Sequence, residues 1–355
     1  MSVKRPLLLV VVALVATLAL AACGSDEGSS SSDTPAGTTA GSTTADAAAG
    51  AFPATVEHKF GTTTVPSAPR RIVTVGLTEQ DTVLALGHTP IATTEWYGEQ
   101  PYAVWPWARA ALGDARPEVL SNADGIEYER IAALRPDLII GVNAGLKRDD
   151  YEKLSKLAPT VASGRGSTEY FSPWYQQVEL VAAALGKPAE GRALIEQVRA
   201  DYASAARAHP QFAGKTVTFS QNGFYDGMIY AYPDGLSTDF LTMLGFTINP
   251  RLTPLIQRRG EQVGVSEERI DVLDADVMVF ATERASDIAA LEKVPTFETL
   301  RAVADSRAVF TDGTLAGAMY FDTPLALEYV LEHLTPQLAD AVAGRSPRRM
   351  VGAAG

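Results

Sequence analysis

Residues 94–107, TEWYGEQPYAVWPW, gather three of the chain's four tryptophans with Tyr97 and Tyr102 around Pro101, Pro106 and Gly98. Neither a helix nor a central strand tolerates that punctuation, so the stretch reads as a loop. Trp and Tyr join a large apolar face to one polar handle. They can pack against a greasy ligand and still hydrogen-bond its oxygens. Trp96, Tyr97, Trp105 and Trp107 are the candidates, and packing beneath the loop is the competing use of the same rings.

Other chemistry finds little support. Four histidines, His58, His88, His209 and His333, are scattered without ligand spacing, against a zinc or manganese receptor. Convergence of Tyr97 and Tyr225 phenolates on bare ferric iron stays open. An envelope hydrolase is a further alternative, but Glu95 and Glu99 share one short loop, poorly placed to flank a scissile bond. No G-x-S-x-G, P-loop or H-E-x-x-H pattern occurs. A net charge of −12 argues against nucleic acid as a partner.

The front of the chain fixes the compartment in which these residues would work. Lys4 and Arg5 precede an apolar run from Leu7 to Ala22, which ends in LAAC and the polar GSDE. This pattern reads as a secretory leader over residues 1–22 rather than a spanning helix. LAAC looks like a bacterial lipobox, so Cys23, the only cysteine, is expected to be lipidated. Residues 23–54 are rich in Ser, Thr, Ala and Gly and read as a flexible tether to a membrane surface.

Beyond the tether, short apolar runs alternate with helical patterns. RIVTVGL (71–77), TPIATTE (89–95), DLIIGV (137–142), TVTFS (216–220), DVMVF (276–280) and AVF (308–310) read as strands. TEQDTVLALG (78–87) and YEKLSKL (151–157) read as helices. That alternation predicts α/β layers with mainly parallel sheets. The segment IEYERIAALRPDLIIG (126–141) matches VSEERIDVLDADVMVF (265–280) in register, each a short helix running into a strand. Two such units suggest two lobes on one plan. Between them, residues 187–209 form a long amphipathic pattern opened by Pro188, with Leu194, Val198, Tyr202 and Ala205 or Ala206 on one face. A helix of that length spans ~30 Å and could connect the lobes.

The lipobox, PRRIVTVG, YERIAALRPDLIIG, DYEKLSKLAPTVA (150–162) and the second ERI unit together resemble the helical-backbone (class III) substrate-binding lipoproteins of ABC importers. EWYGEQPYAVWPW is similar to a stretch in the iron-siderophore receptors of actinobacteria. The resemblance covers residues 55 to 340. It implies two Rossmann-like lobes, 55–186 and 210–340, joined by the helix at 187–209, with ligand in the cleft between them. A disordered tail is expected over 341–355. The implied ligand is a ferric siderophore whose iron the chelator holds, so no cofactor is expected. Haem or cobalamin is the alternative within the same fold. The implied partners are a membrane permease and the membrane itself through the lipid anchor, with the protein a monomer.

Ferric siderophores often carry negative charge, so cations are expected at the cleft. Arg165, Arg251 with Arg258 and Arg259 beside it, and Arg284 after DVMVFATE are candidates. Asn222, Phe224 and Tyr225 in QNGFYDG are candidates from the second lobe. The resemblance further implies that Glu129 and Glu268, matched in the two ERI units, dock onto permease arginines.

Overall fold

The computed structural model describes residues 51–168 and 170–352. The leader, Cys23 and the tether as far as residue 50 lie outside the described residues, as do residues 353–355. Among the described residues no helix is long and apolar enough to cross a membrane.

An antiparallel hairpin opens the fold, β1 (Ala54–His58) and β2 (Gly61–Val65), with alternate residues buried. His58 lies fully buried on its inner face, and its Nε2 is 2.8 Å from Thr63 Oγ1. A parallel five-stranded sheet follows, made of β3 (Ile72–Thr74), β4 (Ala92–Thr94), β5 (Glu118–Leu120), β6 (Leu138–Gly141) and β7 (Thr160–Ala162). Its order is β5-β4-β3-β6-β7, so the chain reverses its direction of travel between β3 and β6. Helices α1 (Glu79–Ala85), α2 (Arg109–Leu112), α3 (Tyr128–Leu134), α4 (Arg148–Leu154) and α5 (Trp174–Ala184) fill the connections. Every residue of β6 is buried, as expected of a strand covered on both faces.

The second sheet has seven strands: β8 (Thr216–Gln221), β9 (Met228–Ala231), β10 (Thr247–Ile248), β11 (Val263–Ser266), β12 (Val277–Ala281), β13 (Ala308–Thr311) and β14 (Met350–Val351). Strands β8, β12, β13 and β14 run parallel, β10 pairs parallel with β8, and β9 and β11 form an antiparallel ribbon on the other edge.

The long helix α6 (Pro188–Ala208) connects the sheets. Its buried face is Gly191, Ile195, Val198 and Tyr202, at helical spacing. A Cβ at Gly191 would come within 2.4 Å of Ala182 Cβ, so a bare glycine lets α6 close on α5. At its far end the Tyr202 hydroxyl donates to the Leu327 carbonyl at 2.8 Å. Leu327 belongs to α11 (Pro324–Val342), which with α7 (Asp239–Thr242), α8 (Ala285–Leu291), α9 (Arg301–Ala304) and α10 (Gly313–Phe321) covers the second sheet.

The two ERI units share a device. Asp137 accepts backbone N–H groups of Arg70 and Arg71, both at 2.8 Å, and so fixes the chain entering β3. Asp276 accepts the N–H and hydroxyl of Thr216 at the start of β8, both at 2.9 Å. The units differ in their helices: the first is α3, whereas residues 267–273 wind as 3-10 turns broken at Arg269. The tail also departs from expectation. Residues 341–352 are not featureless: α11 runs to Val342, the Ser346 hydroxyl donates to the Ala308 carbonyl, and β14 adds an edge strand to β13.

Removing either carboxylate leaves strand-start N–H groups unpaired. Asp137→Ala and Asp276→Ala are each expected to cost about 1–3 kcal/mol by urea unfolding. The Thr216 backbone N–H, foremost, holds the Asp276 carboxyl below its usual range. Its contribution is therefore whole above the unfolded pKa of ~3.9 and is lost as pH falls through the lower folded value. The penalty of Asp276→Ala should shrink in acid.

Candidate functional site

Both sheets present the carboxyl ends of their parallel strands to one cleft, where α/β folds hold ligands. Leu77 follows β3, Trp96 and Tyr97 follow β4, and Asn122 follows β5. From the other side come Gln221 at the end of β8, Asn222 just beyond it and Glu283 beyond β12. Tyr170 and Phe171 precede α5, Tyr225 and Tyr232 flank β9, Gln262 precedes β11, and Tyr320 stands on α10. With Ser237 these residues enclose a chamber of about 560 Å³.

Its wall is a run of rings that crosses between the lobes. Trp96 and Tyr97 meet edge to face at 4.8 Å, Tyr97 lies 6.3 Å from Tyr320, Tyr320 6.3 Å from Tyr232, and Tyr232 6.4 Å from Phe171. Amides and hydroxyls are set among them. The Tyr225 hydroxyl donates to Asn222 Oδ1 at 2.9 Å, and the buried Tyr97 hydroxyl has no hydrogen-bond partner among the described residues. Burial pushes the phenols of Tyr97, Tyr232 and Tyr320 well above their ordinary value, so these three stand as neutral O–H donors. Burial, foremost, also raises the carboxyl of Glu283. Four large apolar or aromatic side chains are exposed among the described residues: Trp96, Tyr170, Tyr225 and Ile256. The first three line this chamber and Ile256 lines the cavity next to it.

Trp105 and Trp107, read as ligand-facing, lie elsewhere. Trp105 is only 5% exposed and belongs to the core shared by α5, α6, α10 and α11. It stacks on Trp107 at 5.1 Å and meets Phe321 edge to face. A Cβ at Gly317 would fall 2.7 Å from the Trp105 ring, and one at Gly98 2.6 Å from it. Two glycines thus make the slot for this indole, Gly98 also having a φ of +85°. Trp107 is half-buried, and its Nε1 donates to Asp81 Oδ2 at 2.7 Å. The loop itself carries two one-turn 3-10 helices, Pro101–Ala103 and Pro106–Ala108, each opened by its proline.

The expected cations are displaced as well. Arg251 is paired with Asp271 at 2.7 Å and lines no part of the chamber. Arg284 is exposed at the start of α8, while the residue before it, Glu283, faces the chamber. Arg165 and Arg259 line a second cavity of about 590 Å³, joined to the first by Phe171, together with Asp234 and Glu261. Phe224 packs against the second lobe's core rather than the cleft. Trp96, Tyr97, Asn222 and Tyr225 line the chamber.

Several lining residues had no place among the candidates. Leu77, Asn122, Gln221 and Glu283 follow from one rule, that the residues at or just past a strand's carboxyl end face the cleft. Tyr320 sits in the apolar helix pattern GTLAGAMYF and carries no such signal.

Behind the chamber the lobes are bolted together by buried polar groups. Asp81 of α1 accepts both the Trp107 Nε1–H and the hydroxyl of Thr323 at 2.7 Å, the residue that caps α11. Nearby Glu79 accepts the Gly76 N–H at 2.9 Å. Burial raises Glu79 to about 7, Asp81 to about 6 and Asp322 to about 8. For such acids the stability contribution is whole below the unfolded pKa near ~4 and is lost as pH climbs through the folded values. The melting temperature should therefore fall as pH rises from about 4 to about 8 and level off above that. Asp322→Asn, which suits the left-handed backbone there, should flatten the curve above about pH 7.

Comparison with known proteins agrees with this architecture. Residues 72–315, more than half of the chain, match the sequence profile of the family described as Periplasmic binding protein. A crystal structure of a periplasmic solute binding protein from Mycobacterium smegmatis is 42% identical, with a TM-score of 0.75 over 81% of this chain and 98% of that one. A curated relative, "Probable siderophore-binding lipoprotein YfiY" of Bacillus subtilis, is 28% identical over 82% of this chain and 83% of its own length. PiaA of Streptococcus pneumoniae, solved in complex with ferrichrome, shares the fold with a TM-score of 0.71 at 24% identity, over 82% of this chain and 99% of that one. The chain belongs to the periplasmic binding protein family, and with its two α/β lobes around an aromatic cleft it is a binding protein rather than an enzyme.

Proposed function

We propose that this protein is an extracytoplasmic receptor, anchored through Cys23, that binds a ferric siderophore and hands it as a monomer to an ABC importer permease. One observation carries the reading: the large aromatic side chains left exposed among the described residues all face the chamber between the lobes. Exposed aromatic surface in a concave site marks ligand recognition. The described siderophore-binding role of the Bacillus subtilis relative supports the same ligand type. The chelator supplies the iron ligands in this reading, and no cofactor is required. Among the described residues no group of three His, Cys, Asp or Glu is placed to hold a metal, and the raised phenols of Tyr97, Tyr232 and Tyr320 favour donation to chelate oxygens over direct coordination.

Delivery draws on the pseudo-symmetry of the lobes. Glu129 and Glu268 are both exposed, in the first turns that follow β5 and β11, on the cleft side of each lobe. Two acids so placed can meet two cations of a permease when the receptor lands cleft-down.

Titration of the purified protein by tryptophan fluorescence, with ferric chelates, haem and cobalamin in parallel, tests the ligand. Saturable quenching by a ferric chelate is expected, with Trp96→Ala or Tyr225→Ala weakening it roughly 5- to 30-fold. Quenching by haem or cobalamin alone would move the ligand and keep the fold. Docking is tested separately in cells. Glu129→Lys combined with Glu268→Lys should bind the chelate as the parent does, yet lower radio-iron uptake by about tenfold or more.

A further inference from the structure

The chamber is built almost without charge. Among the described residues Glu283 is the one carboxylic acid lining it, and no Lys, Arg or His does so. Beneath it, a small pocket that shares Leu77, Trp96 and Tyr320 with the chamber ends on buried Asp322, whose carboxyl burial raises to about 8. In the adjoining cavity Arg165 and Arg259 are matched by Asp234 and Glu261, and Glu261 is itself paired with Arg258 at 2.9 Å. Positive charge in the cleft is thus confined to the adjoining cavity, and among the described residues none lines the chamber itself.

That balance sorts ferric chelates by their chemistry. Each hydroxamate gives up one proton on binding iron, so three of them cancel the charge of the ferric ion. Three catecholates give up two each and leave the complex strongly negative, and hydroxycarboxylate complexes are negative too. An anion entering this chamber sheds its hydration and meets no cation in return, only aromatic walls and a carboxyl. An uncharged complex has no such cost. A complex with a pendant ammonium finds the Glu283 carboxylate as a charge-assisted acceptor and ring faces that attract cations.

We infer that the chamber selects uncharged or positively charged ferric chelates, the trihydroxamate class, and that Glu283 is the specificity-determining residue that receives a protonated amine on the ligand. The inference rests on the siderophore reading above and sharpens it.

The test is isothermal titration of the purified protein with four probes: ferrioxamine B, which carries one ammonium, its N-acetylated form, which lacks it on the same iron core, ferric enterobactin and ferric citrate. Both hydroxamates should bind, the ammonium form about tenfold tighter, and the two anionic complexes about a hundredfold weaker or not at all. Glu283→Gln should erase the preference for ammonium over its acetylated twin. Gln262→Arg, which adds a cation to the wall, should raise affinity for ferric citrate. Melting curves establish that the variants fold, and should Glu283→Gln fail to fold, the unmodified protein's ratio between the two hydroxamates still decides. Equal binding of those two, or a preference that survives Glu283→Gln, overturns the role of Glu283. Tight binding of enterobactin or citrate complexes overturns the charge selection and leaves the siderophore reading standing. Binding of none of the ferric chelates overturns both.

Discussion

Burial of the Trp105 indole across the lobe boundary is the constraint on which the rest of the structure depends. The ring starts on a loop of the first lobe, yet it also packs against Gly317 and Phe321 of α10 in the second. Around it one continuous core runs from Trp174 and Val178 of α5, through Ile195, Val198 and Tyr202 of α6, to Phe219 of β8 and Leu327 of α11. Fully burying an aromatic of this size contributes about 3–5 kcal/mol, judged by the cost of truncating one. The aromatic loop is therefore first a joint and only then a wall. Trp105 and Trp107 face inward and fix its path. Because they do, Trp96 and Tyr97 at its start are held over the cleft with their rings in contact.

The same joint explains why buried acids collect at the back of the site. Asp81 recovers part of its lost hydration at Oδ2, from an indole N–H and a threonine hydroxyl, one from each lobe. Glu79 turns its carboxylate on the Gly76 amide and so shapes the β3–α1 loop that carries Leu77 to the chamber. These groups specify geometry at a cost in stability, since burial raises all of them toward or beyond neutrality. What they secure is a loop held by directional bonds at the point where the first sheet reverses its order.

How legible this was in the sequence varied with the kind of interaction. The strands from RIVTVGL to AVF, the connecting helix and the duplicated ERI units were readable because buried parallel strands and amphipathic helices impose their periods on the residues. The register match set Asp137 against Asp276, and the structure adds their shared role, since both carboxylates tie down the strand beside their own. The site was half legible. Trp96, Tyr97, Asn222 and Tyr225 lie next to strand ends, so position along the chain identified them. Trp105 could not be told from Trp96, because the loop's composition does not say which rings the other lobe receives. Arg284 and Glu283 differ by one residue beyond the end of β12, where strand alternation has stopped and only the turn into α8 decides which side chain faces in. Tyr320 needed the tertiary fold itself. The tail was misjudged for a related reason: β14 is two residues long and gains its place from β13, not from any pattern of its own.

A joint of this kind also limits how the cleft can move. Swinging the lobes apart as rigid bodies would withdraw Trp105 from its slot and leave Asp81 without its partner from the second lobe, while α6, one stiff helix packed at both ends, resists bending. A ligand can shift such an equilibrium only by its difference in affinity for the two states. A chamber already walled by rings from both lobes gives little extra contact on closing. At the rim Thr168 of the first lobe approaches Gly260 of the second so closely that a Cβ on the glycine would fall 2.1 Å from it. Those two loops also bear Arg165 and Arg259 and border the second cavity. A chamber whose aromatic surface is arranged before binding favours affinity from preorganisation over affinity from closure.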